Sequence, residues 1–111
     1  MTLIEKYIDC MQRGDCAALA DLFTDRGILH DSSLIKAGQD TLHLEGKMAI
    51  EMMFHHKFGF NGGPFSMTGI RYKEDRIAWY FISYGGRVVP VTAMLSEVED
   101  GKIKRLNIYP L

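Results

Sequence analysis

Residues 77–98 read "IAWYFISYGGRVVPVTAMLSEV", Ile77 to Val98, and their pattern decides the fold. Two runs rich in β-branched and aromatic residues flank the pair Gly85-Gly86, the signature of two strands joined by a tight hairpin. Alternation puts Ile77, Trp79 and Phe81 on one face of the first strand and Ala78, Tyr80, Ile82 and Tyr84 on the other. The second strand sets Val89, Val91, Ala93 and Leu95 against Val88, Pro90 and Met94. Both faces of this hairpin are apolar, so both need covering.

Outward from the hairpin, Ser66–Tyr72 and Ile103–Tyr109 read as two further strands. Their connections, "KEDR" and "EDGK", are short enough to force antiparallel neighbours. Upstream the period becomes helical. Thr2 and Glu5 form a capping box ahead of Leu3, Ile4, Tyr7, Ile8 and Met11. Gly14 ends that helix, and Asp15 caps a second with Ala18, Leu19, Leu22 and Phe23 on its apolar face, broken by "TDRG". Ile28–Asp31 reads as a short strand, and Ser32–Thr41 as a polar loop with room for another strand near Leu34–Lys36. A third helix fills "LEGKMAIEMMFHHKFG", starting at Gly46, stopping at Gly59, and turning Ala49, Ile50, Met53, Phe54 and the stem of Lys57 inward.

Helices first and a meander after make an α+β fold, three helices packed on one face of a curved, mainly antiparallel sheet. Pro90 inside a strand predicts a bulge, and a bent sheet closed by helices makes a cone with room for a pocket. Three helices cover one side of the sheet only. Its second apolar face therefore predicts a homodimer through the sheet.

A chain of 111 residues is expected to be a single domain over 1–111. Its net charge of −1 gives no electrostatic reason to expect nucleic acid or a membrane as partner. Cys10 and Cys16 lack the second pair of a zinc site and read as reduced thiols. With no basic leader and no long apolar run, the expected compartment is the cytoplasm. His55 and His56 point about 100° apart on a helix, which does not suit chelation of one ion, and no metal or cofactor is expected. Asn61–Gly63 lacks the Lys-Ser/Thr that follows a phosphate-binding loop.

The order of elements, with "Y…RGD…L..LFTDRGILHD" in the first third, "LEGKMAI" opening the third helix and the closing meander "VTAMLSEVEDGKIKRLNIY", resembles the nuclear transport factor 2-like superfamily. This is the cystatin-like cone shared by ketosteroid isomerase, scytalone dehydratase and SnoaL-type cyclases. The layout covers nearly the whole chain, but the fold hosts many unrelated activities. Against ketosteroid isomerase the first third aligns without a gap. Gly14-Asp15 and Leu22-Phe23 fall on family motifs, Asp31 falls on the catalytic base, and Tyr7 falls on the tyrosine that donates to the developing enolate. The family's second, protonated acid falls on Ala93 when counted from Gly101-Lys102, or on Thr92 when counted from Pro90. Neither is an acid, and losing one oxyanion donor typically costs ~10²–10³ in rate. True ketosteroid isomerisation is therefore not expected.

Two readings of the candidate residues stand side by side. In the first, Asp31 shares the inward face with Leu29, sits against apolar walls as a general base, and works with Tyr7 on a small hydrophobic carbonyl or cyclic compound, as an isomerase, cyclase or dehydratase without cofactor. In the second, Asp31 caps the turn "DSS", Tyr7 is packing, and the chain is a non-catalytic dimeric binding or association module. In a regular strand His30 faces away from Asp31. The adaptable residues expected to line the pocket are Met11, Phe23, Met53, His56, Phe58, Met67, Trp79 and Met94, seven methionines in all being a high share for this length.

Overall fold

The computed structural model describes residues 1–111, the side chain of Lys36 excepted. Helix α1 (Leu3–Arg13) begins at the Thr2–Glu5 box, where each residue's side chain accepts the other's backbone N–H. Gly14 ends it in the left-handed region at φ 68°, and Asp15 Oδ1 then accepts the Ala18 N–H to start α2 (Cys16–Asp21). Strand β1 (Phe23–Asp31) follows at once, then a 3₁₀ turn (Ile35–Ala37), β2 (Leu42–Glu45) and α3 (Lys47–Phe60). The meander comprises β3 (Met67–Lys73), β4 (Ile77–Tyr84), β5 (Arg87–Glu99) and β6 (Lys102–Pro110). Its three turns place Glu74-Asp75, Gly85-Gly86 and Asp100-Gly101 at positive φ, the handedness that matches strand twist in tight hairpins.

The six strands form one sheet in the order β2-β1-β6-β5-β4-β3. Every neighbouring pair is antiparallel except β1 with β6, which run parallel. Inward residues of α1, α2 and α3, among them Ile4, Ile8, Leu19 and Ile50, pack with Leu29, Ala93, Leu95 and Leu106 of the sheet in one core. The expected α+β architecture, helices on one face of a mainly antiparallel sheet, is the one observed.

Four local expectations are corrected. Phe23 does not belong to the second helix. It opens β1, because the Ile103 N–H donates to the Leu22 carbonyl at 2.7 Å and Phe23 pairs with Ile103. "TDRG" therefore lies within the strand, and a Cβ at Gly27 would come within 3.0 Å of the Ile103 carbonyl and the Phe23 side chain. The short strand expected near Leu34–Lys36 is a 3₁₀ turn, and the edge strand comes later, at Leu42–Glu45, pairing His43 with His30. Helix α3 continues one residue past Gly59. Finally, the sheet does not bulge at Pro90, which pairs in unbroken register with Phe81. Its carbonyl accepts from Leu111 N–H on the β6 side, just where β6 ends, so the missing N–H of proline breaks no ladder. The irregularities lie instead between Phe23 and Ile28 of β1, between Leu95 and Val98 of β5 and between Thr68 and Arg71 of β3.

Candidate functional site

The inward faces of β1, β4, β5 and β6 converge with α1 and α3 on a small cavity of about 30 Å³. Tyr7 of α1, Asp31 at the end of β1 and Tyr80 of β4 line it together, with Met11, Phe54, Val91 and Ile108 as apolar walls. A space this size holds one or two waters, or the tip of a ligand, and no more. It shares Lys57, Phe65 and Tyr84 with an outer groove of about 490 Å³, which is also lined by Gln39, Met53, His56 and Phe60. That outer volume is in the ordinary range for small-molecule sites, whereas the inner cavity is about tenfold below it. The site is thus a ligand-sized groove bordering a narrow cavity in which one carboxylate and two tyrosines meet among apolar walls.

Asp31 is placed by the chain's turn chemistry. Its Oδ1 accepts the Ser33 N–H at 2.8 Å and the Ser33 hydroxyl at 2.5 Å, while the Ser32 N–H donates to the Ile108 carbonyl at 2.8 Å. Asp31 therefore closes the turn and lines the cavity at once. Its Oδ2 has no hydrogen-bond partner among the described residues.

The two phenols have the opposite environment. Tyr7 is fully buried, and its hydroxyl is a buried polar atom without a hydrogen-bond partner. Such a group costs about 1–3 kcal/mol unless a water or ligand satisfies it. Burial, reinforced by Tyr80 and by the Asp31 charge, holds the Tyr7 phenol far above the ordinary tyrosine range. Burial and the Asp31 charge do the same to Tyr80. Both phenols stay protonated and can only donate or accept hydrogen bonds.

An aromatic ladder runs from this core to the mouth. Phe54, Phe58, Phe65 and Tyr84 follow one another at centroid separations of 5.7, 5.8 and 5.9 Å, and Lys57 Nζ sits 5.5 Å above the Tyr84 ring.

The residues singled out in the sequence are distributed unevenly over this site. Tyr7, Asp31 and Met11 meet in the inner cavity, and Met53 and His56 line the outer groove. Phe58 and Met67 are buried in the core without lining either space. Phe23 lies at the far end of β1, beside a separate polar groove. Trp79 and Met94 lie on the opposite face of the sheet from the cavity, since the inward parity of β4 and β5 belongs to Ala78, Tyr80, Val91, Ala93 and Leu95. Ala93 is thus the inward member of the two positions where the second acid was sought, while Thr92 faces outward between Trp79 and Tyr109. Tyr80, Ser33 and Lys57 are site residues that sequence reasoning missed. Among the described residues no three His, Cys, Asp or Glu side chains group as metal ligands, and no helix is long and apolar enough to cross a membrane.

No family model and no curated protein matches the chain. Solved structures do. An NTF2-like protein from Burkholderia xenovorans is similar at 21% identity and TM-score 0.67, over 97% of this chain and 79% of that one. A SnoaL-like protein from Burkholderia thailandensis aligns at 13% identity and TM-score 0.63, over 96% and 89% of the two chains. A protein with a ketosteroid isomerase-like fold from Catenulispora acidiphila, solved with trimethylamine, aligns at 15% identity and TM-score 0.67, over 96% and 83%. Strand order, the one-sided helical layer and these likenesses agree: the chain has the nuclear transport factor 2-like, cystatin-like fold.

Proposed function

We propose that this protein is a small-molecule acid–base catalyst that works without a cofactor, with Asp31 as the base and Tyr7 as the donor to a developing enolate. The observation that carries this reading is the Tyr7 hydroxyl, buried without a partner in a cavity that it shares with a carboxylate. A buried donor left open at such cost suits a site awaiting an acceptor.

The substrate's body lies in the outer groove and its carbonyl tip enters the inner cavity. Asp31 Oδ2 removes a proton from the carbon next to the carbonyl. The C–H electron pair becomes the C=C bond of an enolate, and the negative charge gathers on oxygen. Tyr7 donates to that oxygen, and Tyr80, on the same cavity wall, supplies the second donor that Ala93 lacks. The proton held on Asp31 then returns to the same or a neighbouring carbon. The protein acts as a homodimer joined through the outward sheet face, where Trp79, Phe81, Pro90, Met94 and Tyr109 form an apolar surface.

Proton–deuterium exchange next to a ketone tests the chemistry without knowledge of the product. Phenylacetone and cyclohexenone in D₂O, followed by NMR, should exchange faster with the wild-type protein. Asp31→Asn should lower the catalysed rate by about 10²-fold or more. Equal rates in wild type and Asp31→Asn, or no catalysed exchange, would overturn the proposal in favour of a non-catalytic binding module.

A further inference from the structure

Among the described residues Lys57 is the single Lys or Arg side chain lining the inner cavity, the outer groove and the smaller groove beside Asp40, and it borders all three. Of the other helical cations, Lys47 pairs with Asp21 at 2.6 Å and Arg13 with Asp9 and Asp15, while Lys6 lines none of these spaces. Lys57 makes no ion pair among the described residues. The Tyr84 face holds its ammonium from one side, and an ammonium carries three N–H donors. The charges at the mouth are also segregated. Asp31 and Asp40 lie together on one side, while the groove lined by His56, Met53, Phe60, Phe65 and Tyr84 contains no carboxylate.

We infer that the ligand of this site is an amphipathic monoanion, its carboxylate held by Lys57 in the outer groove and its apolar body laid on Met53, Phe65 and Tyr84. The inference rests on the reading that cavity and groove together take a small molecule, and it adds the charge and polarity of that molecule. The layout gives the ligand a direction. Its anionic end meets Lys57 from the outer groove, the one of the three spaces without a carboxylate, so the uncharged end is the one that reaches Asp31. A cationic ligand would meet Lys57 on entry, and a neutral one would leave the ammonium unmatched.

Three probes of nearly equal shape separate these cases: 4-phenylbutanoate, 4-phenylbutanamide and 4-phenylbutylamine, titrated calorimetrically against the folded protein. The carboxylate should bind about tenfold more tightly than the amide, the size of effect expected for a charge-assisted hydrogen bond in a half-enclosed groove, and the amine should bind weakest. Lys57→Met should erase the preference for the carboxylate while keeping amide binding, and Lys57→Arg should retain it. Asp31→Asn should keep or enlarge it, because a repelling carboxylate is removed. Equal binding of carboxylate and amide would overturn this inference and leave the small-molecule reading standing. A preference that survives Lys57→Met would also overturn it. Failure of all three probes to bind would overturn the reading on which it rests.

Discussion

The Ser33 hydroxyl donates to Asp31 Oδ1 across 2.5 Å, in a turn that also carries the Ser33 N–H bond to the same oxygen. One carboxylate oxygen is therefore committed to the fold, and the other is left for the cavity. Capping and pocket, two alternatives in the sequence, turn out to be the two ends of one side chain.

Ser33→Ala removes one of the two bonds to Oδ1 and leaves the backbone N–H bond in place. It should lower stability by about 1 kcal/mol, or roughly 4 °C in Tm for a chain of this size. The freed carboxylate should also exchange α-protons about tenfold more slowly, since a misplaced base loses more than its contact energy. Thermal melts and ketone exchange on the same samples check both parts. A variant that melts lower but exchanges as fast would show that Ser33 serves the turn alone.

Tyr7→Phe should separate stability from activity. The change deletes a buried hydroxyl that has no partner, so the folded state should gain about 1 kcal/mol. The same change should reduce catalysed exchange by about 10²–10³-fold, the usual cost of one oxyanion donor. Urea titration and NMR exchange read the two effects. A loss of stability would mean that ordered water already satisfies the phenol.

Alkaline unfolding follows from the two buried phenols. Both are raised above the ordinary value of 10.0, so in that range the folded chain holds protons that the unfolded chain releases. Stability is complete below pH 10 and should fall as pH climbs past it, by about 1.4 kcal/mol per pH unit for each phenol. Denaturant titrations from pH 9 to 11.5 should show the slope, and Tyr7→Phe should cut it by about half.

The outward sheet face predicts the oligomeric state. Trp79 registers with Thr92, which registers in turn with Tyr109, and Phe81, 44% exposed, registers with Pro90. Sedimentation at micromolar concentration should give a dimer of the 12.6 kDa chain, and Phe81→Glu should give the monomer with its helical spectrum intact. A wild-type protein sedimenting only at 12.6 kDa would overturn the dimer.

The legible parts of the sequence were those governed by near neighbours. The Thr2–Glu5 box, the Gly14–Asp15 junction and the glycine-bearing hairpins lie where local chemistry put them. The parity of "GILHD" turned Leu29 inward and brought Asp31 to the cavity. Phe23 escaped because its strand is set by Ile103, eighty positions away, against a local apolar spacing that reads as helix. Trp79 and Met94 were placed in the pocket, and Tyr80 was overlooked, for one reason. Strands apolar on both parities reveal two faces without saying which of them turns inward. Helical spacing turns the Lys57 stem onto the core, but the place of its charge is set by the Tyr84 ring beneath it, 27 positions away in another element.

The parallel seam between β1 and β6 has a bearing on how the protein comes into being. Asp31 and Ile108, which meet across that seam, are 77 positions apart in the sequence. A ribosome must make β6 before the acid has its opposite wall. A chain clipped before β6 should therefore be born without the wall that Ile108 supplies, and the cavity should form only once that strand has emerged.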